Sequence, residues 1–276
     1  MKIDAHQHFW HYNQVEYGWI GNNMQVLKND FLPNHLKAEL TTVGFDGCIA
    51  VQARQTLEET KWLLKLASEN DFIKGVVGWV DLCSDKIEDQ LKEFSLNPKL
   101  VGVRHVVHDE LDDLFMARDD FQYGISLLQK YHLTYDLLLF PKHLPLAMEL
   151  VQKFPNQKFV LDHIAKPDIK GEIKEPWVTD IRKLAQLPNV YCKLSGMVTE
   201  ANWDSWKADD FRFYLDTIFE AFGPDRLMIG SDWPVCTVTG SYQSVLSIVI
   251  DYVKKFDNSI SFKILGTNCL NFYTIR

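Results

Sequence analysis

The 276-residue chain is 46% apolar, 24% charged and 13% aromatic, which excludes a disordered protein and is typical of a globular one. Its formal charge of −8, with no basic tract, argues against nucleic acid as a partner, because binding to a phosphate backbone needs clustered positive charge. No apolar run approaches the ~18 residues of a membrane helix, and the polar start Met1–His6 lacks the apolar core of a signal peptide. We therefore predict a cytoplasmic protein without a membrane partner.

The cysteines of the chain predict free thiols in a reducing compartment. They are odd in number, widely scattered and never arranged as Cys-x-x-Cys; their positions are Cys48, Cys83, Cys192, Cys236 and Cys269. The oligomeric state is left open, with a homodimer as one alternative.

Eight short apolar or β-branched runs, each bounded by turn residues, predict strands. In chain order they are Lys2–His6, Gly47–Gln52, Ile73–Asp81, Val101–Val107, Leu133–Leu139, Lys158–Ile164, Val190–Gly196 and Leu227–Asp232. Amphipathic patterns between them predict the helices Leu57–Asn70, Asp85–Phe94, Phe121–Tyr131, His143–Phe154, Glu175–Leu187, Trp206–Phe222 and Tyr242–Phe256. The segment Phe9–Asn34 has no clear periodicity, so we expect a long functional loop that forms a lid or a pocket wall.

Strands and helices alternate at intervals of roughly 30 residues, as a parallel sheet with right-handed crossovers requires. Eight strands favour a closed (β/α)8 TIM barrel over a doubly wound open sheet. The run Gly75–Val80 lacks alternation of apolar and polar residues, as expected for a strand that is buried on both faces. No nucleotide-binding glycine motif and no shift in composition is present, and we predict a single domain over residues 1–276.

Polar side chains stand at nearly every predicted strand end, where barrels of this kind form their active sites. The sharpest element is His6-Gln7-His8, because residues two apart on a strand project to the same side and both imidazoles can point into the barrel mouth. Barrel closure pairs the eighth strand with the first and brings Asp232 beside them. This cluster predicts a metal site or a general-base site; a chance His-x-His pair is the alternative.

Two further strand residues are candidates for the same site. His163 ends the sixth strand and is either a third functional imidazole or a histidine bonded to the loop backbone. Arg104 lies in an apolar strand and must be paired when it is buried. Its partner is either a substrate oxygen or a protein carboxylate such as Asp81 or Asp136.

Weaker patterns accompany these candidates. Lys193 and Ser195 share a strand face, but their spacing alone does not define a nucleophile pair. Trp10, Trp19 and Trp233 flank the predicted site and can hold a sugar ring, although core packing explains them almost as well.

Four motifs resemble the amidohydrolase superfamily. They are Asp4–Trp10 in the first strand, Leu161–Pro167 in the sixth, Cys192–Gly196 in the seventh and Gly230–Pro234 in the eighth. More narrowly, they are similar to the branch of sugar-acid lactonases, such as L-fuconolactone and L-rhamnonolactone hydrolases, with 2-pyrone-4,6-dicarboxylate lactonase as a more distant relative. The similarity runs from Met1 to the closing segment Leu265–Tyr273.

This resemblance implies roles for the candidate residues. His6 and His8 take the first-strand positions that bind a metal or polarise a carbonyl, His163 is the sixth-strand imidazole, and Asp232 is the acid that activates water. His6, His8 and Asp232 are then the ligands of any bound metal. The resemblance further implies that such an enzyme works with or without one divalent ion such as Zn²⁺.

Two strands depart from the pattern of metal-dependent relatives. The fifth strand has Tyr135 and Asp136 where the decarboxylase relatives have a histidine ligand. The fourth strand has Arg104 in place of a lysine that could bridge two metals as a carbamate. Both departures argue against a binuclear site.

We therefore predict a hydrolase that opens the ring ester of an aldonolactone to the sugar acid in carbohydrate catabolism. Asp232 is expected to activate water and His6, His8 and His163 to stabilise the oxyanion. The residues assigned to substrate binding are Arg104, Lys166, Trp10 and Trp233. The alternatives are a metal-dependent decarboxylase of an aromatic or enoic acid and a non-catalytic sugar-acid binding protein.

Overall fold

The computed structural model describes residues 1–275 and contains each of the predicted strands. Eight parallel strands follow one another round the sheet in chain order. Their bounds are β1 Ile3–Gln7, β2 Gly47–Val51, β3 Ile73–Gly78, β4 Leu100–Val106, β5 Thr134–Leu138, β6 Phe159–Leu161, β7 Val190–Leu194 and β8 Leu227–Ile229. Several end earlier than predicted, because the polar residues that follow turn out of the ladder and into the barrel mouth.

Helices separate the strands and form the outer layer. Their bounds are α1 Pro33–Val43, α2 Leu57–Glu69, α3 Ile87–Phe94, α4 Asp119–Leu128, α5 Leu144–Lys153, α6 Trp177–Leu184, α7 Arg212–Phe222 and α8 Tyr242–Val253. The short helices α9 Asn258–Phe262 and α10 Asn268–Phe272 close the chain, joined by a π-helical turn. No helix among the described residues is both long and apolar enough to cross a membrane.

Helix α1 is absent from the sequence prediction, which extends the loop to Asn34 and predicts no helix before β2. The helix begins with Pro33 at its first position and ends at Gly44, which has a left-handed φ of 70°. Proline at the start and glycine after the end of a helix are its usual boundary residues. Leu36 and Leu40 bury the inner face of α1.

The barrel closes where the chain segments after β1 and β8 meet. Gln7 and Trp233 form a parallel bridge, the Asp232 N–H donates to the His6 carbonyl (2.8 Å), and the His8 N–H donates to the Trp233 carbonyl (2.6 Å). This seam confirms the predicted (β/α)8 fold and the predicted neighbourhood of the first and last strands.

An irregularity in β1 turns both histidines inward. The β1–β2 register pairs Asp4 with Cys48 but Gln7 with Ala50, so β1 carries one extra residue between the two pairs. Such a bulge re-aims side chains. It allows Ala5 to pack in the apolar cluster at the base of the barrel while the next residue, His6, also points across the barrel interior.

The predicted loop Phe9–Asn34 lies over the barrel mouth. Trp10 bridges to Phe31 across the loop, and an apolar cluster fills its interior; the buried members are Trp10, Tyr17, Ile20 and Leu27. Arg54, just after β2, pairs with Glu16 of the loop (2.5 Å). The loop is therefore fastened at both its base and its tip.

All five cysteines are free thiols, as predicted.

Candidate active site

Three imidazoles surround one carboxylate at the barrel mouth. Asp232 Oδ1 lies 3.3 Å from His8 Nε2, 3.8 Å from His163 Nε2 and 3.9 Å from His6 Nε2. Each of the four residues is at most 5% exposed. The structure therefore brings together the four residues predicted from the sequence. They lie at the seam where the segments after β1 and β8 meet.

A left-handed turn after β6 carries His163. The four consecutive residues His163–Lys166 have φ between 49° and 61°, a conformation that costs non-glycine residues roughly 1–2 kcal/mol each. His163 Nδ1 lies 2.9 Å from Ser195 Oγ, which orients the ring. Gly196, with φ of 59°, passes so close that a Cβ would collide with the His163 ring.

The hydrogen bonds of His8 assign its tautomer. Its Nδ1 lies 2.8 Å from the Val51 carbonyl, and a carbonyl only accepts, so Nδ1 carries the proton. The other ring nitrogen, Nε2, faces Asp232 and His6, whose Nε2 is 3.3 Å away.

Burial and charge separate the protonation states of the cluster. Burial lowers the pKa of His163 and of His6 well below the usual histidine value, so both rings are neutral at pH 7. Burial alone would raise the pKa of Asp232, but the neighbouring His163 and His8 imidazoles hold it below its usual value. Asp232 is therefore an ionised carboxylate beside the neutral rings of His6 and His163.

A layer of buried charges lies beneath this cluster. Arg104 donates from Nη1 to Asp162 Oδ2 (3.0 Å), and Lys193 donates to Asp136 Oδ2 (2.5 Å) and lies 3.0 Å from Asp162 Oδ1. Tyr273 donates to Asp136 from below (2.9 Å). Two cations and two carboxylates thus neutralise one another in the barrel interior, as buried charges must.

These contacts correct or complete the predictions made from the sequence. Asp162 is the carboxylate partner of Arg104, so both suggested partners, Asp81 and Asp136, are wrong. Lys193 and Ser195 do not act on each other, because Lys193 binds the carboxylates below while Ser195 contacts His163. The signal for Asp162 was its position beside His163 at a strand end.

Arg104 reaches both the charge layer and the cavity. Its Nη1 also lies 3.2 Å from His6 Nε2, and its Nη2 donates to the Gln52 carbonyl (2.5 Å). Since guanidinium only donates, His6 Nε2 is the acceptor in this contact. His6 Nδ1 lies between Lys193 Nζ (3.2 Å) and Asp162 Oδ1 (3.3 Å). Arg104 remains part of the cavity wall.

An open cavity of about 310 Å³ lies above the cluster, within the range of small-ligand sites. His8, His163, Asp232 and Arg104 line its polar floor. His6 is not among the lining residues and lies beneath them, fully buried. The remaining wall combines apolar side chains with a few polar ones, including Trp10, Trp19, Met24, Val106, His108, Leu138, Lys166, Glu200, Trp203 and Val235.

Of the residues assigned to substrate binding, Arg104, Lys166 and Trp10 line this cavity. Trp233 does not. Its ring is 3% exposed and packs edge-on against Phe9 and Phe31. The expectation that it holds substrate is therefore wrong, because the seam after β8 turns the ring into the core.

The donor set fits one divalent ion. His6 Nε2, His8 Nε2 and Asp232 Oδ1 are buried and lie within 4.8 Å of one another. Tetrahedral Zn²⁺, with bonds of ~2.0–2.1 Å, needs donors about 3.4 Å apart, close to the separations of these three atoms. The Nδ1–H bond of His8 to Val51 also gives the outer support that ligating imidazoles require.

The sequence and fold comparisons place this chain in a known family. Residues 3–275 match the amidohydrolase family, and the chain belongs to it. The chain is 41% identical over 259 residues to an L-fucono-1,5-lactonase of Burkholderia multivorans, covering 90% of this chain and 87% of the relative. It is 35% identical over 243 residues to an L-fucono-1,5-lactonase of Burkholderia ambifaria, covering 87% and 83%.

Crystal structures show the same architecture. An amidohydrolase from Burkholderia multivorans, solved with bound HEPES and again with bound zinc, superposes with a TM-score of 0.95 in both forms. The sequence identity is 38%, and the match covers 100% of both chains.

Proposed function

We propose that this protein hydrolyses the ring ester of a sugar lactone, with L-fucono-1,5-lactone as the first substrate to test. The observation that carries this proposal is the ionised Asp232 beside the His8 and His163 imidazoles at the floor of a small-molecule cavity. Two relatives, 41% and 35% identical and each matching most of the chain, are L-fucono-1,5-lactonases. We also propose that the enzyme acts in cytoplasmic carbohydrate breakdown.

Asp232 is the general base of the proposed reaction. Its carboxylate accepts a proton from a water molecule as the water oxygen attacks the lactone carbonyl carbon. The low pKa of Asp232 keeps this base ionised at neutral pH. His8 and His163 flank the carboxylate and hold the water beside it.

Arg104 supplies the positive charge for the oxyanion. The attack moves negative charge onto the carbonyl oxygen, and a fixed guanidinium in a partly dehydrated site stabilises it. Collapse of the tetrahedral intermediate breaks the ring C–O bond, and the departing oxygen recovers the proton from Asp232. The products are one sugar-acid carboxylate and, at neutral pH, one released proton.

A zinc ion would be held by His6, His8 and Asp232. When bound, it supplies Lewis acidity toward the carbonyl or the attacking water. His6 Nε2 accepts from Arg104, so its single lone pair would serve either the guanidinium or the ion. This competition supports an enzyme that works with or without the ion.

Proton release from freshly prepared aldonolactones tests the proposal. A panel that includes L-fuconolactone and L-rhamnonolactone should be assayed at pH 6–7, with and without chelator. Acid production above the spontaneous rate is expected from at least one member, and none from any member would overturn the proposal. Release of CO₂ from an aromatic acid would favour a decarboxylase, and thermal stabilisation by lactone without turnover would favour a binding protein.

A further inference from the structure

One wall of the cavity carries an ion pair that the proposed chemistry does not use. Lys166 pairs with Glu200, and both line the same cavity as Asp232 and His163. Their side chains are 16% and 20% exposed, so neither is sealed in the core nor free in solvent. A ligand in the cavity is therefore within reach of this pair.

The backbone fixes this pair relative to the reacting centre. Lys166 ends the left-handed turn that begins at His163, and its N–H donates to the His163 carbonyl (2.8 Å). The Glu200 carbonyl accepts from the Lys170 N–H (2.9 Å), which joins the loops after β6 and β7. Trp203 donates from its indole to the Thr199 carbonyl (2.9 Å) and braces the second loop.

Hydrogen-bonding capacity remains on both members of the pair. Glu200 Oε1 accepts from Lys166, whereas Glu200 Oε2 takes part in none of the hydrogen bonds formed within residues 1–275. The Lys166 ammonium has three N–H groups and uses one of them on Glu200. The pair therefore presents one charged acceptor and charged donors side by side.

Neighbouring hydroxyl groups on a ring have the matching pattern, since each can donate to a carboxylate or accept from an ammonium. We propose that Lys166 and Glu200 select polyhydroxylated lactones by binding ring hydroxyls while the carbonyl lies at Asp232. This inference rests on the proposed lactonase function and names the substrate class that the site prefers.

The surroundings strengthen the case for a neutral, hydroxyl-bearing ligand rather than an anion. The nearby His108 contributes no positive charge, because burial lowers its pKa to about 4. Asp109 accepts from His108 (2.8 Å) on the same wall. With Glu200 balancing Lys166, this side of the cavity offers polar contacts without a net cationic charge.

Loss of a hydroxyl partner should be costly for selectivity. A site built to hydrogen-bond a substrate hydroxyl leaves its own polar groups unpaired when the hydroxyl is missing. We expect the wild type to prefer the sugar lactone over unsubstituted δ-valerolactone by at least about 10-fold in kcat/KM.

The test compares Glu200→Gln and Lys166→Met with the wild type on both lactones. We expect kcat/KM for the sugar lactone to fall by about 10- to 100-fold, with kcat/KM for δ-valerolactone changed by less than about 3-fold. Glu220→Gln is the matched control, because it removes an exposed ion pair with Arg182 on the outer helices. Where turnover of δ-valerolactone is too slow to follow, its inhibition constant against the sugar lactone replaces it.

The outcomes separate this inference from the proposed function. Equal losses on both lactones, no loss on either, or a wild type without the preference would overturn the selection by Lys166 and Glu200. A wild type that hydrolyses no lactone would instead overturn the proposed function itself. Melting temperatures of the variants within a few degrees of the wild type are the check that folding is intact.

Discussion

Asp232 is the residue on which the proposed chemistry depends, because it is the ionised carboxylate that three imidazoles surround. Asp232→Asn keeps the shape of the side chain but removes the base, so we expect kcat to fall by at least ~10³-fold. Steady-state kinetics on the best lactone of the panel measure this. Asp225→Asn, at an exposed carboxylate paired with Lys263, is the control. An Asp232 variant that keeps most of its activity would remove this residue from the mechanism.

His8 provides the test of the metal site. His8→Ala removes one of three donors, and we expect Zn²⁺ affinity to fall by at least ~10-fold in calorimetric titration of the metal-free protein. His11→Ala is the matched control, since that imidazole is exposed, pairs with Asp30 at the surface and does not line the cavity. Equal affinities in the wild type and the His8 variant would argue against the proposed ligand set.

The sequence predicts which residues meet at the site but not which hydrogen bonds and ion pairs they form with one another. The sequence is sufficient to predict His6, His8, His163 and Asp232, because strand ends converge in a barrel. It is not sufficient to predict the partner of Arg104, since several carboxylates stand at strand ends and only side-chain geometry selects Asp162.

At the scale of elements, the left-handed turn His163–Lys166 places the His163 ring directly against Gly196, which follows β7. Gly196→Ala adds a methyl group against the His163 ring at a left-handed φ, so we expect a loss of about 1–3 kcal/mol in unfolding free energy and a lower kcat/KM. Gly44 has a similar φ with open space around it. Gly44→Ala should therefore cost only about 1 kcal/mol, with kcat/KM unchanged.

Denaturant unfolding and lactone kinetics on the two glycine variants make this comparison. Similar kinetics for both would show that His163 tolerates the added methyl group. A larger effect on kcat/KM at Gly196 is the expected result, because only that position touches the imidazole.

The elements themselves were predictable where periodicity was strong. The sequence predicts all eight strands but not α1, because the aromatic loop before this helix masks its short apolar face, Leu36 and Leu40. The bulge in β1 could not be predicted from the sequence, because strict alternation of side chains would turn either Ala5 or His6 outward. Bulges depend on the register with a neighbouring strand, which one strand alone does not encode.

At the scale of the whole molecule, the buried charge layer joins opposite sides of the barrel. Lys193→Met leaves Asp136 without a cation and Asp162 with Arg104 alone, and breaking a buried pair in this way costs about 3–5 kcal/mol. Chemical denaturation measures the loss. Lys263→Met, at an exposed pair with Asp225, should change stability by less than about 1 kcal/mol. Comparable stabilities of the two variants would mean that the layer does not hold the barrel together.

The count of alternating strands and helices was sufficient to predict the barrel, because chain topology leaves few ways to close eight parallel strands. This count gives no information on whether chains assemble into oligomers. A single domain over residues 1–276 and the alternative of a homodimer therefore stay predictions.

The seam between β1 and β8 has a consequence for how activity arises during synthesis. A growing chain that stops before β8 has both first-strand imidazoles but lacks the Asp232 carboxylate. In the proposed mechanism such a fragment has no base to activate water, so we expect hydrolysis to begin only after the last strand has joined the first. Release of acid from lactone should then report completed barrel closure, and a refolding experiment can follow that event by enzymatic activity.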